Sequence, residues 1–199
     1  MKRRNFSIAA LVIVLALLGS CSSQSSEEST VPTSSPISAE ETQAIGSEPA
    51  VLPADDATLG EKNALAAANT YLSFSAFSAQ GLIDQLEFEG YTTQEAQYAV
   101  AKCGADWNEQ ALKKAGNYLD YSAFSYSGLF EQLSYEGFLP EQAQYAVDNC
   151  GADWKEQAAK KAQAYLDFSS FSREGLIDQL LYEGFTQEQA EYGVTAVGY

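Results

Sequence analysis

The nine residues CGADWNEQA, Cys103 to Ala111, return as CGADWKEQA at Cys150 to Ala158. A thiol, a carboxylate and an indole at fixed spacing, written twice, have the makings of a dithiol redox pair or of half a metal site. The rest of the composition argues against both. The chain has three cysteines and no histidine, and Cys21 has a separate role described below. Two thiols remain, too few for the four Cys or His ligands of a structural zinc site. A third copy of the surrounding sequence places Val197 where the first two have Cys103 and Cys150. Valine replaces a small buried hydrophobe but neither a ligand nor a nucleophile. A Cys103–Cys150 disulfide is chemically open to an exported chain. Equivalent positions of adjacent repeats, however, usually lie beyond the roughly 4.4–6.8 Å Cα separation that a disulfide needs. The block therefore reads as an inter-repeat joint: Cys103 and Cys150 as buried hydrophobes, Gly104 and Gly151 as helix stops, Asp106 and Asp153 as helix caps, and Trp107 and Trp154 as packing between units.

Other chemistry finds little footing. There is no histidine to act as a base, and no serine has an evident base beside it. Glu87 and Glu89 fall on different faces of a helix, and no calcium loop of alternating Asp and Asn is present. The expectation is a protein that is not an enzyme and needs no cofactor or metal.

The elements that position these residues repeat every 47 positions. GLIDQLEFEGY at Gly81, GLFEQLSYEGF at Gly128 and GLIDQLLYEGF at Gly175 are one motif, as are Tyr71-Leu72, Tyr118-Leu119 and Tyr165-Leu166. Such a period marks a repeat architecture. The expected fold is all-α: three tandem three-helix units over residues 58–104, 105–151 and 152–199, each containing a helix-turn-helix-like hairpin. The first helix runs roughly from Trp107 to Asp120 in the second unit, with Ala111, Ala115, Tyr118 and Leu119 on one stripe. Asp106 with Glu109, and Asp153 with Glu156, have the spacing of a capping box. The second helix spans about Ala79 to Glu89, with Ser78 as N-cap and Leu82, Ile83 and Leu86 inward. Gly90, Gly137 and Gly184 stop it. The third helix starts at capping boxes, Thr92 with Glu95 and Thr186 with Gln189, or at Pro140 in the middle copy. It buries Ala96, Ala99, Val100 and Cys103. The aromatic residues at the bend between the first two helices (Phe74, Phe77, Tyr121, Phe124, Phe168, Phe171) are expected in the core.

The N-terminus sets the compartment. Lys2, Arg3 and Arg4 precede an apolar run from about Phe6 to Leu18, which has the form of a secretory signal over residues 1–20. Leu18-Gly19-Ser20-Cys21 resembles the lipobox of bacterial lipoproteins. That resemblance implies cleavage between Ser20 and Cys21 and a diacylglyceryl group on Cys21, a stable membrane anchor. Residues 21–57 continue as a Ser/Thr/Pro/Glu-rich tether that cannot bury enough apolar surface to fold. Its 36 residues after the lipidated cysteine would span roughly 35 Å as a flexible coil.

Charge then narrows the partner. Loss of the three signal-peptide cations takes the formal charge from −16 to −19. The three hairpins carry thirteen acidic residues against Lys102 and Arg173 alone. A nucleic-acid backbone would be repelled, so the helix-turn-helix outline does not imply DNA binding. A basic protein partner is favoured, and the candidate binding residues are Asp84, Glu87, Glu89, Glu131, Glu136, Asp178 and Glu183. The same carboxylates would also keep a lipoprotein soluble. The chain is expected to act as a monomer.

Lipobox, polar tether and units of the form YLDYSAFSYSGLFEQLSYEGF…QAQYAVDNCGADWKEQA together resemble the Ltp-type host cell surface-exposed lipoproteins, over essentially all of residues 58–199. These occur in Gram-positive bacteria and their prophages. The resemblance implies display on the outer face of the cell membrane and superinfection exclusion, in which the lipoprotein blocks DNA injection by engaging the phage tape-measure protein. Three units stand here where an exclusion protein can manage with two. A cell-envelope interaction or scaffold role without phage, in which three repeats supply avidity or length, remains the alternative.

Overall fold

The structure is a computed structural model that describes residues 57–199. The signal peptide, Ser20, Cys21 and nearly all of the expected tether lie outside the described residues. Nine α-helices and no strand occur among the described residues. They fall into three sets of three: α1 (Leu59–Phe74), α2 (Ala79–Phe88) and α3 (Thr93–Lys102); α4 (Trp107–Tyr121), α5 (Tyr126–Tyr135) and α6 (Pro140–Asn149); α7 (Trp154–Phe168), α8 (Arg173–Tyr182) and α9 (Gln187–Ala196).

Local chemistry explains most boundaries. Ser78, Ser125 and Ser172 cap the second helices by accepting the N–H of Gly81, Gly128 and Gly175. Each second helix ends where the next glycine takes a positive φ, +97° at Gly90, +85° at Gly137 and +86° at Gly184, a region that a side chain disfavours. Thr92 with Glu95 and Thr186 with Gln189 form reciprocal capping boxes. Leu139 lacks a side-chain oxygen, yet Gln142 Oε1 still accepts its N–H at 3.0 Å, and Pro140 opens α6. A further box, Thr58 with Glu61, starts α1. Asp106 and Asp153 cap α4 and α7 but form no reciprocal box. Glu109 and Glu156 instead accept from the hydroxyls of Tyr145 and Tyr192, at 3.5 and 2.6 Å. The tyrosine on the third helix competes for the carboxylate that the spacing assigned to the cap.

Each unit has its own core, a leucine pair on the second helix set among alanines of the first and third. Leu82 and Leu86 pack with Ala64, Ala68, Ala96 and Ala99. Leu129 and Leu133 pack with Ala111, Ala115, Ala143 and Ala146. Leu176 and Leu180 pack with Ala158, Ala162 and Ala190. Alanine lets first and third helices approach closely. The third unit takes this further with Gly193, where a Cβ would lie 2.7 Å from the Ala158 carbonyl carbon.

Candidate functional site

Adjacent units meet through one contact used twice. The Ser78 hydroxyl, already accepting Gly81 N–H at 2.9 Å, donates to the Glu136 carbonyl at 2.6 Å. Ser125 likewise accepts Gly128 N–H at 3.0 Å and donates to the Glu183 carbonyl at 2.6 Å. Both serines are buried. The N-terminus of α2 therefore abuts the C-terminus of α5, and the N-terminus of α5 abuts the C-terminus of α8. The second joint adds Ser127 donating to the Gly184 carbonyl at 3.1 Å and Phe124 N–H donating to Gln157 Oε1 at 3.4 Å. Gln110 holds the place of Gln157 in the second unit; it is buried, and its Oε1 has no hydrogen-bond partner among the described residues.

The residues singled out in the repeated block sit beside these joints. Trp107, on the second unit's first helix, packs on the first unit's core together with Cys103. Trp154, on the third unit's first helix, packs on the second unit's core with Cys150 and meets the Tyr126 ring edge-on at 5.5 Å. Cys103 and Cys150 are half-buried free thiols at the ends of α3 and α6. Each donates to a carbonyl three residues back, Val100 and Val147, at 3.3 Å. Gly104 and Gly151 follow at φ +67° and +70°.

The candidate acidic residues divide into two groups. Glu89, Glu136 and Glu183 are each tied to a tyrosine of their own unit; Glu136 and Glu183 are half-buried and Glu89 is exposed. They accept from the hydroxyls of Tyr71, Tyr118 and Tyr165. Lys114 pairs with Glu136 at 2.7 Å and Lys161 with Glu183 at 3.0 Å. The lysine is present in the two units whose glutamate carbonyl receives a neighbouring serine, and Ala67 stands in its place in the first. Asp84, Glu87, Glu131 and Asp178 are exposed, with no ion pair among the described residues.

The tyrosine–glutamate network has a measurable signature. Burial, and then the hydrogen bond and charge of Glu183, push the Tyr165 phenol up to about 12. Tyr118 is raised by burial and Glu136 in the same way. The folded chain holds these protons more tightly than the unfolded chain, whose phenols titrate near pH 10. The contribution of Tyr165 to stability is therefore complete below about pH 10 and is lost as pH rises through about 12. A difference titration at 295 nm between wild type and Tyr165→Phe is expected to show a step near pH 12. A step near pH 10 would mean that the network is open in solution.

The bend aromatics depart from expectation. Phe77, Phe124 and Phe171 do pack inward, edge-on to Tyr71, Tyr118 and Tyr165 at 5.6, 5.5 and 5.7 Å. Phe74, Tyr121 and Phe168 are instead 86, 85 and 92% exposed. They are the last residues of the first helices, and the extended Ser75, Ser122 and Ser169 that follow turn the chain away. Tyr121 and Phe168 line an open groove of about 580 Å³ between the second and third units, with Lys160 and Lys161.

The described residues thus form an all-α protein of three tandem repeats joined by serine-to-carbonyl contacts. The chain matches the host cell surface-exposed lipoprotein family over residues 60–102, 106–150 and 153–197, and it belongs to that family. It is similar to Ltp, a superinfection exclusion protein from the Streptococcus thermophilus temperate phage TP-J34, whose solved structure is 35% identical. That match covers 47% of this chain and 98% of the other, at a TM-score of 0.45. No curated protein matches the sequence. No helix among the described residues is long and apolar enough to cross a membrane.

Proposed function

We propose that this protein is a lipid-anchored binding protein on the outer face of the cell membrane of a Gram-positive bacterium. It would exclude superinfecting phage by catching a basic stretch of the phage tape-measure protein before DNA is injected. The observation that carries the reading is the group of exposed carboxylates, Asp84, Glu87, Glu131 and Asp178, that no cation of the described residues neutralises. Unneutralised charge of one sign attracts a partner of the other and raises its rate of encounter. Membership of the surface-exposed lipoprotein family supports the location. Cys21 supplies the anchor, which holds the acidic hairpins within tether reach of the site of entry.

The test expresses the intact lipoprotein in a phage-sensitive Gram-positive host and measures plating efficiency together with adsorption. Lost plating with normal adsorption is expected, restored by Cys21→Ala and by the combined Asp84→Lys, Glu131→Lys and Asp178→Lys substitutions. Unchanged plating of the natural host's phages would overturn exclusion and favour an envelope-interaction role. Exclusion that survives the charge reversals would overturn its electrostatic basis.

A further inference from the structure

The second helices carry a feature beyond charge. Phe88, Tyr135 and Tyr182 are each at least 75% exposed. They lie one turn after Asp84, Glu131 and Asp178 on α2, α5 and α8. Residues four apart share a helix face, so each helix presents a carboxylate and an aromatic ring side by side. This face turns away from the buried leucines, Leu82 and Leu86 in the first unit and their equivalents in the others. The core does not require aromatic residues there.

Recurrence within the chain makes the pairing specific. At 84, 131 and 178 the residues are Asp, Glu and Asp; at 88, 135 and 182 they are Phe, Tyr and Tyr. The preceding position on the same helices drifts freely, with Glu87 and Leu181 exposed and Ser134 half-buried. Three separate copies thus retain an acid and a ring on a surface where nothing in the fold asks for a ring. Both joints use the same serine-to-carbonyl contact, so one inter-repeat step relates each stripe to the next.

We propose that the three stripes form a ladder that recognises arginine-rich segments of a protein partner. A guanidinium can pair with the carboxylate while its planar face and alkyl stem lie on the adjacent ring. Lysine satisfies the carboxylate but gains less from the ring. The occupant is argued from charge complementarity: the hairpins hold thirteen acidic residues against two cations, and the rings stand among those acids. The inference rests on the reading of the acidic hairpins as a partner surface, and it adds which side chain that surface selects.

The experiment uses the full lipidated chain in detergent and two probes of equal charge, dodeca-arginine and dodeca-lysine, at physiological salt. Calorimetry is expected to give tighter binding of dodeca-arginine. The combined Phe88→Ser, Tyr135→Ser and Tyr182→Ser substitutions should weaken it by about tenfold and largely remove the preference. Asp84→Asn, Glu131→Gln and Asp178→Asn should weaken both peptides. All six residues are exposed, so the variants are expected to keep the wild-type circular dichroism spectrum. Equal binding of the two peptides, with no effect of the serine substitutions, overturns the ladder; loss with the amides would still leave the acidic surface standing. Failure of both peptides to bind the wild type overturns ladder and acidic surface together. If the serine substitutions instead abolish self-association in sedimentation, or binding to phosphatidylglycerol vesicles, with peptide affinity unchanged, the rings serve a second copy or the membrane and the ladder is wrong.

Discussion

Leu133→Ala is expected to lower the unfolding free energy by about 2–5 kcal/mol. Leu133 is fully buried on α5, in a core where most other buried positions are alanine. Few large side chains share the load, and first and third helices already in alanine contact have little room to collapse into the space. The placement matters as much as the size. Each unit has a separate core, so stability is close to a sum of unit and neighbour contributions. The second unit holds both joints, through Glu136 on one side and Ser125 on the other. Leu86→Ala makes a similar cavity in the first unit, which has one joint. Hydrogen exchange should therefore show protection lost across all three units in Leu133→Ala, but mainly in the first in Leu86→Ala. The same spread of lost protection in the two variants would contradict the separate-core account.

Gly184→Ala is expected to be the more damaging of two chemically identical substitutions, the other being Gly90→Ala. Both residues hold a positive φ, +86° and +97°, which penalises a side chain by roughly 1–2 kcal/mol. Only Gly184 is also pressed by a neighbouring unit. A Cβ there would lie 2.2 Å from Ser127 Oγ and 3.0 Å from Ser125 Oγ, whereas one at Gly90 meets nothing within 4 Å. The Ser127 hydroxyl can rotate away. Ser125 cannot do so freely, because it is held by Gly128 N–H and the Glu183 carbonyl. Overpacking at the joint should add about 1–3 kcal/mol to the backbone penalty. Equal loss in the two variants, measured by chemical denaturation, would mean that the joint yields without resistance.

Much of this architecture is written locally and so is legible in the sequence. The 47-residue period, the serine N-caps, the glycine stops and the leucine stripes all act within one helix or one turn, and residue type with spacing specifies them. The capping boxes that spacing predicts at Asp106 and Asp153 do not close, for the opposite reason. Tyr145 and Tyr192, 36 residues on, compete for Glu109 and Glu156, and a four-residue window cannot see them. The same holds for the acidic candidates. Nothing near Glu89, Glu136 or Glu183 in sequence announces that a tyrosine 18 residues back takes the carboxylate. Asp84, Glu131 and Asp178, which face outward, look no different on paper. The exposed Phe74, Tyr121 and Phe168 show the limit of the rule that aromatic residues are core, since an extended residue after each helix carries the chain away from them. Gln110 and Gln157 could have been found: a glutamine recurs among the alanines of the first helices where another unit precedes, and the first unit has Asn63.

The serine-to-carbonyl contact between units bears on how such a chain can change its length. An isolated helix leaves amide protons unsatisfied at one end and carbonyls at the other, with a partial charge at each. Here the start of one second helix is set against the end of the next, like cells wired in series. Among the second helices of the described residues, only the two outermost terminals stay open, Ser172 at the start of α8 and Glu89 at the end of α2. A unit inserted between two others would bring one plug and one socket, and would leave the number of open terminals unchanged. Repeat number is then a quantity that a single in-frame duplication could alter without redesigning any surface.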